Sequence, residues 1–94
     1  MSHVDETVAV RRKPGLLETQ IDGEIVALDV EIGECYGMNQ VASMVWGLLS
    51  EQTCVSEMAN KISAEFDVSD EDCLVAVLDL VRRLDQDGLI VFVS

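Results

Sequence analysis

The sequence predicts an α+β domain in which a three-stranded antiparallel sheet is followed by three helices. The N-terminal part alternates apolar and polar residues and is interrupted by Pro-Gly and Asp-Gly pairs, which is the pattern of strands joined by turns. The C-terminal part carries apolar residues at helical spacing. With 94 residues, of which 49% are hydrophobic, the chain can form one domain around one modest core.

The clearest strand runs from Glu24 to Ile32, directly after the pair Asp22-Gly23. Strict alternation divides its side chains between two faces. The apolar face, which is predicted to be buried, consists of Val26, Leu28, Val30 and Ile32. The opposite face, which is predicted to contact water, consists of Ile25, Ala27, Asp29 and Glu31. An antiparallel sheet tolerates such a division.

The Asp-Gly pair favours a two-residue hairpin turn, which pairs this strand with residues 17–21 and sets Leu17 opposite Leu28. A shorter strand is predicted at residues 7–10, before the basic run at residues 11–13. Residues 17–21 then form the middle of the sheet, and residues 24–32 form its edge. Residues 1–5 lack periodicity and are predicted to be disordered, and residues 33–37 are predicted to form a loop.

Three helices follow. Asn39 is predicted to cap the first, which ends near Leu49; the second runs from Thr53 to Phe66; the third begins at Ser69 and ends at Gly88. The predicted core stripe of the third helix consists of Leu74, Val77, Leu78, Val81 and Leu84. A second apolar set on a neighbouring face consists of Cys73, Ala76 and Leu80. This second set must be covered by a sheet, a partner or another copy of the chain. Residues 89–93 are predicted to form a strand or an extended tail.

The charge balance argues against nucleic acid as a partner. The chain has 18 acidic and 6 basic residues and a net charge of -12, so that basic or neutral partners are favoured. A sheet with three helices suggests a winged helix-turn-helix-like fold. Its third helix, however, begins Ser69-Asp70-Glu71-Asp72, which would repel phosphate, and only Arg82 and Arg83 near its other end could meet it.

Residues for catalysis or metal binding are lacking. The only histidine is His3, in the tail. The cysteines Cys35, Cys54 and Cys73 are scattered and odd in number, which indicates reduced intracellular thiols rather than metal ligands or disulfides. The sequence therefore predicts no enzyme activity, no metal and no cofactor. It contains no export signal and no stretch that could cross a membrane, so that the expected location is the cytoplasm.

An exposed edge strand suggests a different function, the binding of a peptide. Unpaired N–H and C=O groups on residues 24–32 can be completed by an extended peptide, and the second apolar face of the third helix can form the wall of a groove beside it. The alternative is an edge that Glu24, Asp29 and Glu31 protect by their charge, with the helix face packed on the sheet.

Short motifs spread over most of the chain resemble the PqqD-like family. They are Leu28-Asp29, Gly33, Tyr36-Gly37-Met38-Asn39, Val45-Trp46 and Leu48-Leu49, followed by Phe66-Asp67-Val68, Leu84 and Gly88-Leu89-Ile90. The resemblance implies a RiPP precursor recognition element, a non-catalytic domain that binds the leader segment of a ribosomally made peptide and delivers it to a modifying enzyme. The sequence resembles the stand-alone B1 proteins of lasso peptide biosynthesis most, which work with a separate cysteine protease that removes the leader.

In this family the leader adds to the third strand and lies against the third helix. Carried over by position, the resemblance implies an edge of Val26, Ala27, Leu28, Asp29 and Val30. It implies a helix side of Cys73, Ala76, Val77 and Leu80. Many family members carry an aspartate at the place of Ala76, so that any polar contact of that residue is missing here. A radical-enzyme partner in another peptide pathway remains open, as does an acidic winged-helix adaptor or regulator that dimerises through the third helix.

Overall fold

The computed structural model describes residues 4–93, which form five strands and three helices. In chain order these are β1 (Val10–Arg12), β2 (Leu17–Ile21), β3 (Glu24–Asp29), β4 (Glu34–Gly37), α1 (Gln40–Leu48), α2 (Val55–Glu65), α3 (Asp70–Gln86) and β5 (Ile90–Phe92). The predicted α+β class is confirmed, because a three-stranded antiparallel sheet precedes three helices. The strands that make up the sheet differ from the expected ones.

The hairpin of β2 and β3 forms as predicted. Asp22 and Gly23 have φ angles of 53° and 82°. Positive φ at both central residues is what a two-residue turn needs if it is to match the twist of the strands. The resulting register sets Leu17 opposite Leu28, in agreement with the turn chemistry.

The prediction that residues 24–32 form an edge is wrong. The strand order is β2-β3-β4, so that β3 is the middle strand, with a neighbour on each side. The third strand comes from residues that were predicted to form a loop. A tight turn, in which Gly33 N–H donates to the Asp29 carbonyl at 2.8 Å and Gly33 has a φ of 71°, returns the chain as β4.

The strand predicted at residues 7–10 lies a few residues later and belongs to another sheet. β1 includes two residues of the basic run and pairs antiparallel with β5, which confirms a strand within residues 89–93. Val10 also exchanges two backbone hydrogen bonds with Thr53, at 2.8 and 3.0 Å. The small sheet thus joins the two ends of the domain to the connection between α1 and α2.

The two faces of β3 are reversed relative to the prediction. Ala27 is 0% exposed and Asp29 is 5% exposed, whereas Val30 and Ile32, which follow the strand, are 64% and 61% exposed. The small side chain of Ala27 allows close packing against the core, and Asp29 can be buried because it forms an ion pair with Lys13. Packing and a charge partner therefore outweigh the binary pattern.

The helix ends follow the predicted caps. The Asn39 side chain accepts a hydrogen bond from Ala42 N–H at 2.9 Å, and the Ser69 hydroxyl accepts one from Asp72 N–H at 3.2 Å. Gly88 has the left-handed φ of 74° that ends α3. The core lies between the three helices and the inner face of the sheets. Its largest fully buried side chains include Trp46, Leu49, Met58 and Leu89.

The predicted disorder of residues 1–5 falls partly outside the described residues, which begin at Val4. Val4 is buried in the core, and its carbonyl accepts a hydrogen bond from Arg82 Nε at 3.2 Å. Asp5 caps a turn by accepting hydrogen bonds from Thr7 and Val8. These two residues are therefore held by the fold.

Candidate functional site

The outer edge of β4 has no neighbouring strand within residues 4–93, because β4 is last in the order β2-β3-β4. In an antiparallel pair, successive residues direct their N–H and C=O groups alternately toward and away from the neighbour. Met38 N–H donates to the Ile25 carbonyl at 2.9 Å, which fixes this alternation along the β3–β4 ladder. Tyr36 then faces β3, and Cys35 and Gly37 direct their N–H and C=O groups outward. The edge offers two donors and two acceptors to an added strand.

A depression of about 360 Å³ separates this edge from the C-terminal half of α3. The β4 side of the depression is formed by Cys35, Tyr36 and Gly37, and the helix side by Leu80, Arg83 and Asp87. Leu84 and Leu89, both buried, form part of its lining. α3 thus stands beside the open edge and leaves room between them.

A second depression, of about 350 Å³, continues along the N-terminal half of α3. Its lining is apolar apart from the exposed Asp72. Residues of all three helices contribute to it: Val41, Ile62, Cys73, Ala76 and Val77, together with Phe66 and Val68 from the connection between α2 and α3. Apolar walls of this kind suit an aliphatic or aromatic side chain.

The two depressions follow one another along a single face of α3, and together we call them the β4–α3 groove. Leu80 lines the first depression and Ala76 the second, one helical turn apart. On the opposite wall, Ala42 lines the first and its neighbour Val41 the second. Residues 35–37 of β4 line only the first depression, so that the groove extends past the end of the open edge.

Tyr36 links the two walls at one end of the groove. Its hydroxyl donates to the Asp87 carbonyl at 3.5 Å, which is a long hydrogen bond. Partial burial, together with the nearby charges of Glu34 and Asp87, raises the pKa of Tyr36 above its ordinary value of 10.0. The hydroxyl therefore stays protonated and can donate a hydrogen bond.

Asp29 and Lys13 hold the turn that leads into β4. Lys13 Nζ lies 3.1 Å from Asp29 Oδ2, and Asp29 Oδ1 accepts a hydrogen bond from Glu31 N–H at 3.2 Å. The hydrogen bond from Lys13 is the main reason that the pKa of Asp29 lies below its ordinary value, against the opposing effect of burial. Asp29 is consequently a charged, structural residue beside the site.

The basic run near the N-terminus does not form an open cationic patch. Arg12 packs over the Trp46 ring at 4.9 Å and donates to the Trp46 carbonyl at 2.9 Å and to Glu18 at 3.0 Å. Lys13 is paired with Asp29. Two of the three cations of the basic run are thus engaged within the domain and are not available to bind a polyanion.

The three cysteines differ in exposure: Cys35 is exposed, Cys54 is half-buried and Cys73 is buried. Cys35, Cys54 and Cys73 are all free thiols. Cys73 is buried and its thiol donates to the Ala59 carbonyl at 3.4 Å. Burial raises the pKa of Cys73, which keeps the thiol protonated and weakly nucleophilic. Residues 4–93 contain no group of three or more side chains placed to bind a metal ion. Within the same range, no helix is both long enough and apolar enough to span a membrane.

The outer face of the sheet is a further apolar surface. Across the three strands, Leu17, Leu28 and Cys35 lie in one row, and Thr19 and Val26 lie in the next. Leu17 is 56% exposed, and Ile21 at the end of β2 is 58% exposed. We call this surface the outer sheet face.

The structure divides the predicted site residues between different surfaces. Val26 and Leu28 lie on the outer sheet face, Ala27 and Asp29 are buried under the sheet, and Val30 lies in the following turn. Of the helix residues, Leu80 lines the first depression of the groove. The others line the second depression; they are Cys73, Ala76 and Val77. The predicted helix residues thus line one groove, whereas the predicted strand residues lie on or directly after β3, which has a neighbour on each side.

The first depression is also lined by residues of β4 and the end of α3 that the sequence prediction did not include, namely Cys35, Tyr36, Gly37, Arg83 and Asp87. The sequence pattern predicts a loop at β4 because the strand is short, follows Gly33 and ends at Gly37. The signal that points to it is the motif Tyr36-Gly37-Met38-Asn39, which precedes the helix cap and carries part of the family resemblance. The third strand of the sheet is therefore β4.

The fold and the site define a class of small α+β domains in which an open sheet edge faces a helix across a groove. The sequence from residue 24 to residue 90 matches the family model described as coenzyme PQQ synthesis protein D (PqqD). The chain belongs to the PqqD family, as the motifs suggested. No curated protein matches its sequence.

Solved structures with the same fold include two complexes. TbiB1 in complex with the TbiA(beta) leader peptide has 28% sequence identity and a TM-score of 0.78, over 85% of this chain and 93% of that one. A lasso peptide synthetase B1 complexed with the leader peptide has 24% identity and a TM-score of 0.77, over 87% and 96%. The PqqD truncation of Methylobacterium extorquens PqqCD, a stand-alone RiPP recognition element, has 17% identity and a TM-score of 0.78, over 94% of both chains.

Proposed function

We propose that this domain is a non-catalytic recognition element that binds the leader segment of a ribosomally synthesised precursor peptide, in a pathway for a lasso peptide. The observation that carries the proposal is the open edge of β4 beside the β4–α3 groove. The leader adds to the sheet as a strand on the outer side of β4, and its groove-facing side chains enter the two depressions. Similarity to TbiB1, which was solved with a leader peptide, supports the choice of ligand.

Strand addition accounts for both backbone and side-chain recognition. The outward N–H and C=O groups of Cys35 and Gly37 pair with an extended peptide of any sequence, which gives affinity. Every second peptide side chain then points toward α3, so that the groove reads alternate positions and gives specificity. The peptide-binding edge in this proposal is β4, in place of residues 24–32 that the sequence predicts. The helix side is the same in both: Cys73, Ala76, Val77 and Leu80.

We further propose that the bound leader is delivered to a processing enzyme, a leader-removing cysteine protease or another modifying enzyme. The outer sheet face lies on the opposite side of the sheet from the helices. This apolar face is flanked by exposed acidic residues, including Asp22 and Glu24. It suits a partner surface that is apolar at its centre and basic at its rim. We place this activity in the cytoplasm, where the three free thiols remain reduced.

The test is an NMR titration of the ¹⁵N-labelled full chain. Random linear peptides displayed on their own mRNA are selected against the chain, and the most enriched peptide is synthesised as the probe. We expect the largest amide shifts at residues 34–38 and along the groove-facing side of α3. Shifts confined to β2, or to residues 11–13 and Arg82, would contradict the proposal.

Equilibrium sedimentation tests the competing adaptor hypothesis. A tight dimer that buries α3 would leave the groove closed and would favour an adaptor. A monomer fits a leader-binding domain. A dimer also fits if it binds the peptide with the same affinity as the monomer does.

A further inference from the structure

We propose that Arg83 selects an acidic side chain in the leader, at the groove-facing position next to the one that contacts Leu80. This inference rests on the proposed leader binding and specifies which peptides the groove accepts. It concerns a charge preference in addition to the apolar contacts.

Arg83 is the one basic residue that lines either depression of the groove in the described part of the chain. The other charged residues of the lining are acidic: Asp87 in the first depression and Asp72 in the second. With a net charge of -12 over the whole chain, the surroundings repel acidic peptides in general. A leader carboxylate is therefore favoured at one place in the groove, beside the guanidinium of Arg83.

The two adjacent arginines of α3 have different surroundings. Arg82 Nε donates to the Val4 carbonyl at 3.2 Å and so helps to hold the N-terminal segment. Arg83 lies on the groove side, where its ion pair with Asp79 is long, at 3.6 Å, with both side chains mostly exposed, at 66% and 72%. An exposed pair of this kind is weak. A leader carboxylate can replace Asp79 and accept two parallel hydrogen bonds from the guanidinium.

The spacing of α3 agrees with that of an added strand. Groove-facing residues of α3 recur every three or four positions, which is about 4.5 to 6 Å along the helix axis. Groove-facing residues of an extended peptide recur every second position, which is about 6.6 Å. Leu80 and Arg83 therefore correspond to successive groove-facing leader positions, and the long Arg83 side chain spans the small difference. The expected pattern is an apolar residue and an acidic residue separated by one residue.

The test compares selections of displayed random peptides on three forms of the full chain: the wild type, Arg83→Glu and Lys61→Glu. Lys61 is exposed on α2 and lines neither depression, so that its substitution matches the change in net charge. We expect aspartate or glutamate to be enriched at one position with the wild type and Lys61→Glu. With Arg83→Glu, lysine or arginine should be enriched at that position, while the apolar preference two residues away is unchanged.

Synthetic peptides that differ only at this position give the size of the effect. The peptide with glutamate at this position should bind the wild type roughly tenfold more tightly than the peptide with lysine, as expected for a hydrogen bond between charged groups. The Arg83→Glu variant should bind the lysine peptide more tightly than the glutamate peptide. Identical enrichment with the wild type and Arg83→Glu would overturn the role of Arg83. If the enriched peptides still shift residues 34–38 in NMR spectra, the proposed function stands. If no peptide is enriched, or none shifts β4, both proposals are overturned.

Discussion

Leu80→Asp separates a residue that binds the leader from one that only packs in the core. Leu80 is half-buried: it packs against the core cluster and also lines the first depression beside β4. Part of its side chain therefore remains in contact with water until a peptide covers it. An aspartate at this position can keep its carboxylate in water in the free protein, but loses that water when the leader binds.

The expected magnitude follows from these two stages. Full burial of a leucine side chain contributes about 1.5 to 3 kcal/mol, of which the part covered by the peptide is roughly 1 kcal/mol. A carboxylate that loses water without gaining a partner costs about 1 to 3 kcal/mol more. The two contributions together predict a loss of about 2 to 4 kcal/mol, or roughly 30- to 1,000-fold in Kd. Leu80→Ala, which lacks the carboxylate, should weaken binding only about fivefold.

Fluorescence anisotropy with the labelled probe peptide measures the affinity, and urea denaturation measures the free energy of unfolding. Leu84→Ala is the matched control, because Leu84 lines the same depression from the core and is buried. It should lower the free energy of unfolding by about 2 to 5 kcal/mol. If Leu80→Asp behaves like Leu84→Ala in urea and leaves the peptide affinity unchanged, Leu80 is a core residue and the groove has been placed wrongly.

Three further predictions concern the edge, the outer sheet face and the turn before β4. Gly37→Pro removes an outward N–H but no bond within the sheet, so that peptide affinity should fall roughly three- to tenfold with an unchanged urea midpoint; an unchanged affinity would exclude pairing at Gly37. Leu17→Asp should change the free energy of unfolding by less than about 0.5 kcal/mol and leave the peptide affinity unchanged. The processing enzyme should, however, convert the bound precursor more slowly. An equal rate would exclude the outer sheet face as the surface that contacts the enzyme. Asp29→Asn removes a carboxylate whose pKa is lowered from its ordinary value of 3.8, mainly by the hydrogen bond from Lys13. In the wild type, the stability contributed by this pairing is present above pH 3.8 and is lost in more acidic solution. The variant should lack this contribution, and urea titrations at several pH values measure the difference. Parallel pH profiles of the wild type and the variant would contradict this role of Asp29.

Local chemistry was sufficient to predict most of the helical half and the first hairpin. Asn39, Ser69 and Gly88 mark helix ends by hydrogen bonds and by a left-handed φ that depend on neighbouring residues alone. The Asp22-Gly23 turn fixes the register of β2 and β3 in the same local way. Contacts between residues distant in sequence were not predictable by such rules, which is why the pairing of β1 with β5 was missed.

One wall of the β4–α3 groove was predictable from the sequence, for a physical reason. The apolar set on α3 is visible from periodicity, because a helix needs only one stripe for its core. The position of the sheet edge was predicted wrongly, because the alternation of β3 places its more apolar side chains, Val26 and Leu28, on the outer sheet face. Ala27 and Asp29 are buried through tight packing and through Lys13, and neither effect shows in the pattern of residue types. β4, the edge strand that faces α3, is too short to produce a clear alternation.

The shortness of β4 also explains how an open edge can persist. Unpaired strand edges invite aggregation, and proteins limit that risk with short edges and with a neighbouring element that hinders approach. β4 spans four residues and directs the polar groups of only Cys35 and Gly37 outward. α3 stands beside it, and the long hydrogen bond from Tyr36 to Asp87 holds one end of the gap. α3 hinders the approach of another sheet edge, so that the gap in which we propose that the leader binds also protects β4 from aggregation.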